Sequence, residues 1–228
     1  MHHFVEVSTL SNHISKFFSP EDLARIVDAV RKAEARTAGE IVPYVVEASD
    51  DYEESVWRAG GLTSALCLGL FVSTRNFTDV WFPLRFDEAA LITLGASVIA
   101  MILVWGVRPL RQFFAGKEVM NRRVEQRAAE AFLAEEVFKT RERTGILIFV
   151  SLFEHEVMVI GDSGINTKVQ RSDWEDVTRS VLEGMNSGRP ADGLIEAIRK
   201  SGELLEKHGV TRRVDDRDEL QNRLRTEE

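Results

Sequence analysis

Two uninterrupted apolar stretches stand out in a chain whose other segments mix apolar and charged positions. Residues 89–107 contain no charge and lie between Glu88 and Arg108. A helix of this length is about 28 Å long, close to the thickness of the hydrocarbon core of a bilayer. A shorter uncharged stretch, residues 59–74, precedes it. Together they predict a transmembrane helical hairpin over residues 58–108, with a buried core helix as the alternative for each segment.

Small and aromatic residues in these stretches fit a membrane hairpin. Gly60, Gly61 and Gly69 are expected to allow close approach of the second helix, because small residues let helix backbones meet in lipid. Trp57 and Trp105 lie near the same ends of the two segments. The amphipathic indole ring is typical of the membrane–water interface, so both residues are predicted to lie there.

The distribution of Lys and Arg predicts the orientation of the hairpin. The connecting loop holds only Arg75 and Arg85, whereas seven basic residues flank the hairpin on its other side: Arg58, Arg108, Arg111, Lys117, Arg122, Arg123 and Arg127. Cytoplasmic flanks carry the excess of basic residues. We therefore expect a multi-pass protein of the cytoplasmic (inner) membrane with both termini in the cytoplasm.

Outside the hairpin, the hydrophobic pattern predicts helices and short strands. A helix begins at Pro20 after the capping residue Ser19. Strands are predicted over residues 41–48, 146–153 and 157–160 from their β-branched and apolar runs, the last two forming a hairpin. Because Pro43 cannot donate to a ladder, we expect a sheet edge or a bulge near it.

The remaining segments predict further helices. Residues 109–143 form a long helical stretch that Gly116 can kink or interrupt. Helices follow from Trp174 and over residues 190–208. Residues 211–228 are mostly charged and are expected to form a solvated tail.

A weak internal repeat links the first two strands. Arg36 and Thr37 precede Gly39 and the first strand, while Arg143 and Thr144 precede Gly145 and the second. If the two units are equivalent, these strands pair in parallel through a crossover. The predicted fold class is α/β, an αβα sandwich around a small mixed sheet, interrupted by the hairpin. The predicted organisation is a divided domain (1–57 and 109–210), the hairpin (58–108) and the charged tail (211–228).

Composition limits the possible partners. The 228 residues carry a formal net charge of −8, and no basic stripe with interleaved aromatics is present, which argues against nucleic-acid binding. Cys67 is the single cysteine, so one chain cannot build a disulfide framework. The expected partners are membrane lipids and other membrane proteins, and self-association is possible.

Several segments outside the hairpin resemble the TPM domain family. They are a helix from Pro20, the segment TAGEIVPYVVEASDDY, the segment RTGILIFVSLFEHEVMVIGDSGIN, a helix from Trp174, and GRPADGLIEAI. The family includes many bacterial membrane proteins. The resemblance implies an αβα sandwich, and it implies two candidate properties, namely phosphatase activity and binding of calcium or another divalent cation such as magnesium.

Four polar residues at predicted strand ends are the candidate metal ligands. Asp162 and Asn166 lie in the segment GDSGIN, and Asp50 and Asp51 follow the first strand. Carboxylate and amide oxygens suit hard cations. The alternatives are a turn in which Gly161 and Gly164 supply special backbone angles and Asp162 binds its own backbone, and a solvated loop at residues 50–51. If the first two strands are parallel, the two sets lie at opposite sheet edges and cannot form one site.

No catalytic motif is present, so no catalytic residue is assigned. The chain has no P-loop, HExxH or GxGxxG sequence and no Ser–His–Asp order. Arg36 and Arg143 can either bind an anion where the strands begin or pair with helix carboxylates. The leading hypothesis is an accessory or scaffold module for membrane protein partners. The alternatives are a divalent-cation-binding regulatory domain and a metal-dependent phosphatase.

Overall fold

The chain folds into two compact units. The computed structural model describes residues 14–77, 85–210, 220 and 222–227. One unit comprises Met1–Ser49 with Arg122–Glu228, and the other comprises Asp50–Asn121. The second unit therefore extends beyond the hairpin boundaries that we predicted at residues 58 and 108.

The first unit is built on a four-stranded mixed sheet in the order β3-β2-β1-β4. The strands are β1 (Glu40–Val46), β2 (Gly145–Ser151), β3 (Glu156–Gly161) and β4 (Arg225–Glu227). β1 runs parallel to β2 with Glu40 opposite Gly145, and β3 returns antiparallel to β2. The parallel pairing expected from the repeated Arg-Thr segment is confirmed, and so is the β-hairpin predicted for the second and third strands.

Eight α-helices occur in the part of the chain that the structure describes. They are α1 (Pro20–Glu34), α2 (Glu53–Phe77), α3 (Phe86–Gly106), α4 (Arg108–Ala115), α5 (Lys117–Ala134), α6 (Ser163–Asn166), α7 (Glu175–Asn186) and α8 (Pro190–Lys207). Short 3₁₀ turns lie at Ile14–Lys16 and Arg171–Trp174. α4 and α5 replace the long helical stretch predicted over residues 109–143. Gly116 separates them with a φ of +84°, a conformation that glycine adopts readily.

Alternate residues of the strands enter two different apolar clusters. One face of β1 and β2 packs with α1, α7 and α8, through Ile41, Val45, Ile146, Ile148, Val150, Ile26, Val30, Val177, Val181, Leu194 and Ile198. The opposite face packs with α5, through Val42, Tyr44, Val46, Leu147, Phe149, Val124, Ala128 and Ala131. Because both faces are covered, β1 and β2 are buried along their whole length, which explains their continuous apolar runs.

Pro43 lies in a central strand, but just before the residues of β1 that pair with β4, so the expected sheet edge is present locally and the expected bulge is not. β1 lies between β2 and β4, and its register with β2 is continuous through Pro43 and Ile148. β4 pairs only with Tyr44–Val46. The proline is tolerated because it lies outside this pairing, so the N–H that Pro43 lacks is not needed for a hydrogen bond to β4.

The prediction of a charged, solvated tail is wrong for residues 225–227. Arg225–Glu227 forms β4, which pairs in parallel with the end of β1. The side chain of Arg225 is buried and donates a hydrogen bond from Nε to Glu135 at the end of α5. This ion pair makes burial of a charged residue possible, and composition alone could not reveal it. Residues 211–219, which the same prediction covered, lie outside the described residues.

Candidate functional site

The most distinctive surface of the molecule belongs to the helices α2 and α3. By length and composition, both are apolar enough to cross a membrane. Only 17% of the apolar window of α2 and 22% of that of α3 is buried. Outward-facing leucines and isoleucines account for the exposure: Leu62, Leu66, Leu70, Leu91, Ile92, Leu94, Ile99 and Ile102. Neither helix is thus the buried core helix that we considered as an alternative.

The surface between α2 and α3 is lined by small and hydroxyl-bearing residues. The Oγ atoms of Ser64 and Ser97 lie 2.7 Å apart and join the two helices by a hydrogen bond. Ser64 also donates to the carbonyl of Gly60, and Thr93 to that of Ala89, four residues earlier in each helix. These hydroxyl groups are therefore satisfied without water.

Only one of the three predicted contact glycines lies at this interface. A Cβ atom on Gly60 would come within 2.8 Å of Met101 Sδ, so a larger residue would displace that side chain. Cβ atoms on Gly61 and Gly69 would meet nothing within 4 Å. The prediction failed for these two residues because it counted glycines without considering which face of the helix each one occupies.

The short helix α4 is tied to both longer helices by arginine side chains. Arg58 of α2 donates to the carbonyls of Phe114 and Ala115, at 3.2 and 3.0 Å. Arg111 of α4 donates to the carbonyl of Trp105 at the end of α3. The two guanidinium groups bind carbonyls at the C-terminal ends of α4 and α3, where carbonyls lack a partner within their own helix.

Asp162 begins the short helix α6 after β3. Its side chain accepts from the N–H of Ser163 at 2.6 Å, and its backbone carbonyl accepts from the N–H of Asn166. The side-chain amide of Asn166 donates to the carbonyl of Gly161 at 2.7 Å. The bonds of Asp162 match the turn that we considered as the alternative to a metal site, whereas Gly161 and Gly164 do not adopt the positive φ expected for it.

The two arginines of the repeated segment both pair with carboxylates. Arg143 Nε lies 3.0 Å from Asp162 Oδ2, whose side chain is only 5% exposed. Arg36 pairs with Glu206 of α8 at 2.6 Å. Of the two alternatives for these arginines, the structure supports carboxylate pairing.

The remaining candidate ligands are Asp50 and Asp51. Asp50 accepts from the N–H of Tyr52 at 3.0 Å in the loop before α2, and Asp51 is exposed beside it. Asp162 belongs to the first unit, and Asp50 to the second. Among the described residues, no three His, Cys, Asp or Glu side chains come together as a metal site would require.

A buried polar cluster that sequence reasoning missed lies where β1 and β2 end. Glu154 accepts from the N–H of Ser49 at 2.9 Å and from the hydroxyl of Ser151. Ser49 Oγ in turn lies 3.0 Å from Ser151 Oγ. Through these hydrogen bonds, the cluster connects the turn between β2 and β3 to Ser49, just after β1. Alternation along the strand gave no signal for it, because Ser151 is a single polar residue within an otherwise apolar run and Glu154 follows that run.

A charged groove of about 380 Å³ lies between α1 and α8. Each of its four cations pairs with a carboxylate: Arg25 with Asp192, Lys32 with Asp28, Arg36 with Glu206, and Arg199 with Glu203. Hydrogen bonds from Arg199 also hold the pKa of Glu196 below its ordinary value. The groove is therefore lined by surface ion pairs, of which Arg25–Asp192 joins α1 to α8 and Arg36–Glu206 joins the segment after α1 to α8.

Comparison with known proteins identifies a shared fold and no family. No family model matches the chain, and no curated protein matches it. The NMR structure of BA42 protein from the psychrophilic bacterium Bizionia argentinensis is similar, with a TM-score of 0.57 and 20% sequence identity. The match covers 94% of this chain and 98% of that chain. At this identity the similarity concerns the fold alone.

Proposed function

We propose that the chain is an integral membrane protein in which a two-helix hairpin is inserted into an αβα sandwich of the TPM type. In this arrangement α2 and α3 cross the cytoplasmic membrane, and the α/β unit and both termini lie in the cytoplasm. The protein acts as an accessory or scaffold module for other membrane proteins.

The observation that carries the proposal is the distribution of side chains around α2 and α3. Leucine and isoleucine face outward, while Ser64, Thr93 and Ser97 lie between the helices with their hydroxyls bonded. In water this arrangement would expose a large apolar surface, which soluble monomers avoid. In lipid it places apolar groups against acyl chains and polar groups against each other.

The orientation rests on the basic residues. Six of them follow α3 within about 20 residues, the distance over which the positive-inside rule acts. The segment that connects the two apolar stretches, residues 75–88, contains only two basic residues, Arg75 and Arg85. This asymmetry favours placing the loop outside the cytoplasm.

A binding role is favoured over turnover because two of the three candidate carboxylates, Asp162 and Asp50, serve the fold. Asp162 pairs with Arg143 and begins α6, and Asp50 accepts a backbone hydrogen bond. The phosphatase and cation-binding alternatives rest on the family resemblance alone.

The membrane arrangement is tested by cysteine labelling in intact cells. In a Cys67→Ser background, Asp87→Cys should react with a membrane-impermeant maleimide from outside. Lys117→Cys should react only after permeabilisation. Equal labelling of both positions in intact cells would contradict the hairpin, and the reverse pattern would contradict the orientation.

The accessory role is tested by photo-crosslinking in native membranes. A photoreactive amino acid at Leu94, which is 64% exposed, should form a covalent adduct with another membrane protein. The matched control is Ser97, which faces α2 and should crosslink within the chain. Adducts at Leu94 with lipid alone would contradict the accessory role and leave the membrane arrangement intact.

A further inference from the structure

The helix α4 has an exposed apolar stripe that packing within its own unit does not explain. Leu110 and Phe113 lie one helical turn apart and are 37% and 77% exposed. Val107 continues the stripe at 40%, and Trp105, just before it at the end of α3, is 70% exposed. The opposite side of α4 is covered, since Ala115 is buried and Gln112 is half-buried. α4 is therefore amphipathic over its whole length.

We propose that α4 lies flat in the headgroup region of an anionic bilayer leaflet, with Leu110 and Phe113 at the boundary of the acyl chains. This inference rests on the proposed function, because it requires α2 and α3 to cross the membrane. It adds to the hairpin a surface that binds anionic lipid.

The place of α4 within its unit fits an interfacial helix. Arg58 and Arg111 fix it at the end of the helix pair where α2 enters its apolar stretch and α3 leaves its own. The exposed indoles of Trp57 and Trp105 belong to the same helix ends. Tryptophan is enriched at the membrane–water interface, so the position of the two indoles favours placing α4 at that depth in the bilayer.

The charge of α4 favours anionic headgroups. The helix contains Arg108 and Arg111 and no acidic residue. The exposed Lys117 follows its last residue, Ala115, with only Gly116 between them. Interfacial helices bind through the buried apolar area together with electrostatic attraction to anionic lipids. An eight-residue helix is short for binding on its own, but here α3 holds it at the surface.

The test measures the depth of Phe113 in the full-length protein. A nitroxide is attached to Phe113→Cys in a Cys67→Ser background, and the protein is reconstituted in vesicles of phosphatidylcholine and phosphatidylglycerol. Accessibility of the nitroxide to oxygen and to a water-soluble nickel chelate is then compared. We expect high oxygen and low nickel accessibility, as at a position within the bilayer.

Two further labels calibrate the measurement. Leu94→Cys reports on the apolar part of α3, and Leu133→Cys on α5 is a matched exposed apolar position outside the hairpin, 63% exposed. If the nitroxide at 113 behaves like that at 133 while the one at 94 reports lipid, the inference is overturned and the spanning arrangement stands. If the nitroxide at 94 is itself open to nickel, the spanning arrangement and the inference both fail.

Lipid composition and other occupants give the remaining outcomes. In phosphatidylcholine alone, nickel accessibility at 113 should rise at least about twofold, because the attraction of the arginines is lost. An unchanged value would overturn the anionic preference. Low accessibility to both reagents would assign the surface to protein, and spin–spin broadening that disappears on dilution with unlabelled chain would identify a second copy. Either result would overturn the inference.

Discussion

The two units of this molecule distribute the same kinds of side chain in opposite ways. In the α/β unit, Ile148 and Leu147 are fully buried on the two faces of β2, and charged residues such as Lys32 lie outside. In the helix pair, Leu94 faces outward and Ser97 lies between the helices. Apolar side chains avoid water, so the α/β unit buries them. If lipid surrounds α2 and α3, as we propose, the apolar side chains of the helix pair have no reason to turn inward.

The strongest test of this contrast is a matched pair of Leu→Ala substitutions. Leu147→Ala should lower the free energy of unfolding by about 2–5 kcal/mol, because it leaves a cavity in the apolar cluster between the sheet and α5. Leu94→Ala should change it little, since lipid or detergent fills the space. Thermal unfolding in detergent, followed by the resistance of each unit to proteolysis, measures both. Equal losses would mean that α3 belongs to a protein core.

The next effect concerns the buried charge of β4. Burial lowers the pKa of Arg225, and the neighbouring Glu135 partly opposes that shift by stabilising the cation. Glu135→Ala leaves this cation buried without its main partner and should cost about 1–3 kcal/mol. Arg225→Met removes the charge itself and should cost less. Hydrogen exchange of Arg225–Glu227 measures both, and the reverse order would show that the apolar stem of the arginine matters more than its charge.

A smaller effect is expected at the start of α1. The hydroxyl of Ser19 donates to Asp22 and, with Arg25, lowers the pKa of that carboxyl. A lowered pKa stabilises the fold above the ordinary value of about 3.8, and this contribution is lost as pH falls through the folded value. Asp22→Asn should therefore cost about 0.5–1 kcal/mol near pH 6 and little near pH 2.

Carboxyl NMR titration of Asp22 provides the check. The wild-type protein should titrate below the ordinary range, and Ser19→Ala should move the pKa back toward it. An Asp22 that titrates normally in the wild-type protein would remove the physical basis of this prediction.

The smallest effect is expected between α2 and α3. Ser97→Ala removes the bond to Ser64 and should destabilise the helix pair by about 0.6 kcal/mol, the average for hydrogen bonds between membrane helices. Ser73→Ala, on the exposed side of α2, is the control and should have no effect. Unfolding in sodium dodecyl sulfate, followed by Trp57 and Trp105 fluorescence, measures both. A loss of several kcal/mol would contradict the two-sided environment proposed here.

Much of the fold was predictable because local patterns determine it. The runs of β1 and β2 predicted their strands within a few residues, and the repeated Arg-Thr segment predicted their parallel pairing. Gly116 was identified as a break because an isolated glycine in a helical pattern indicates one. The turn at Asp162 could be weighed against a metal site, but not decided, from its sequence.

The missed features depend on contacts between distant residues. β4 could not be predicted from the local sequence, because the cost of burying Arg225 is compensated by Glu135, 90 positions earlier. The cluster of Ser49, Ser151 and Glu154 likewise joins segments more than 100 positions apart. Gly61 and Gly69 were misplaced because hydrophobic periodicity is lost in a helix that is apolar on every side.

The pairing of β1 with β2 has a consequence for synthesis of the chain. The two strands are about 100 residues apart, so at roughly 5–20 residues per second β1 leaves the ribosome some 5–20 seconds before its neighbour exists. In the arrangement we propose, the hairpin enters the membrane during that interval. Closure of the sheet then follows insertion, because β2 is synthesised only after the hairpin.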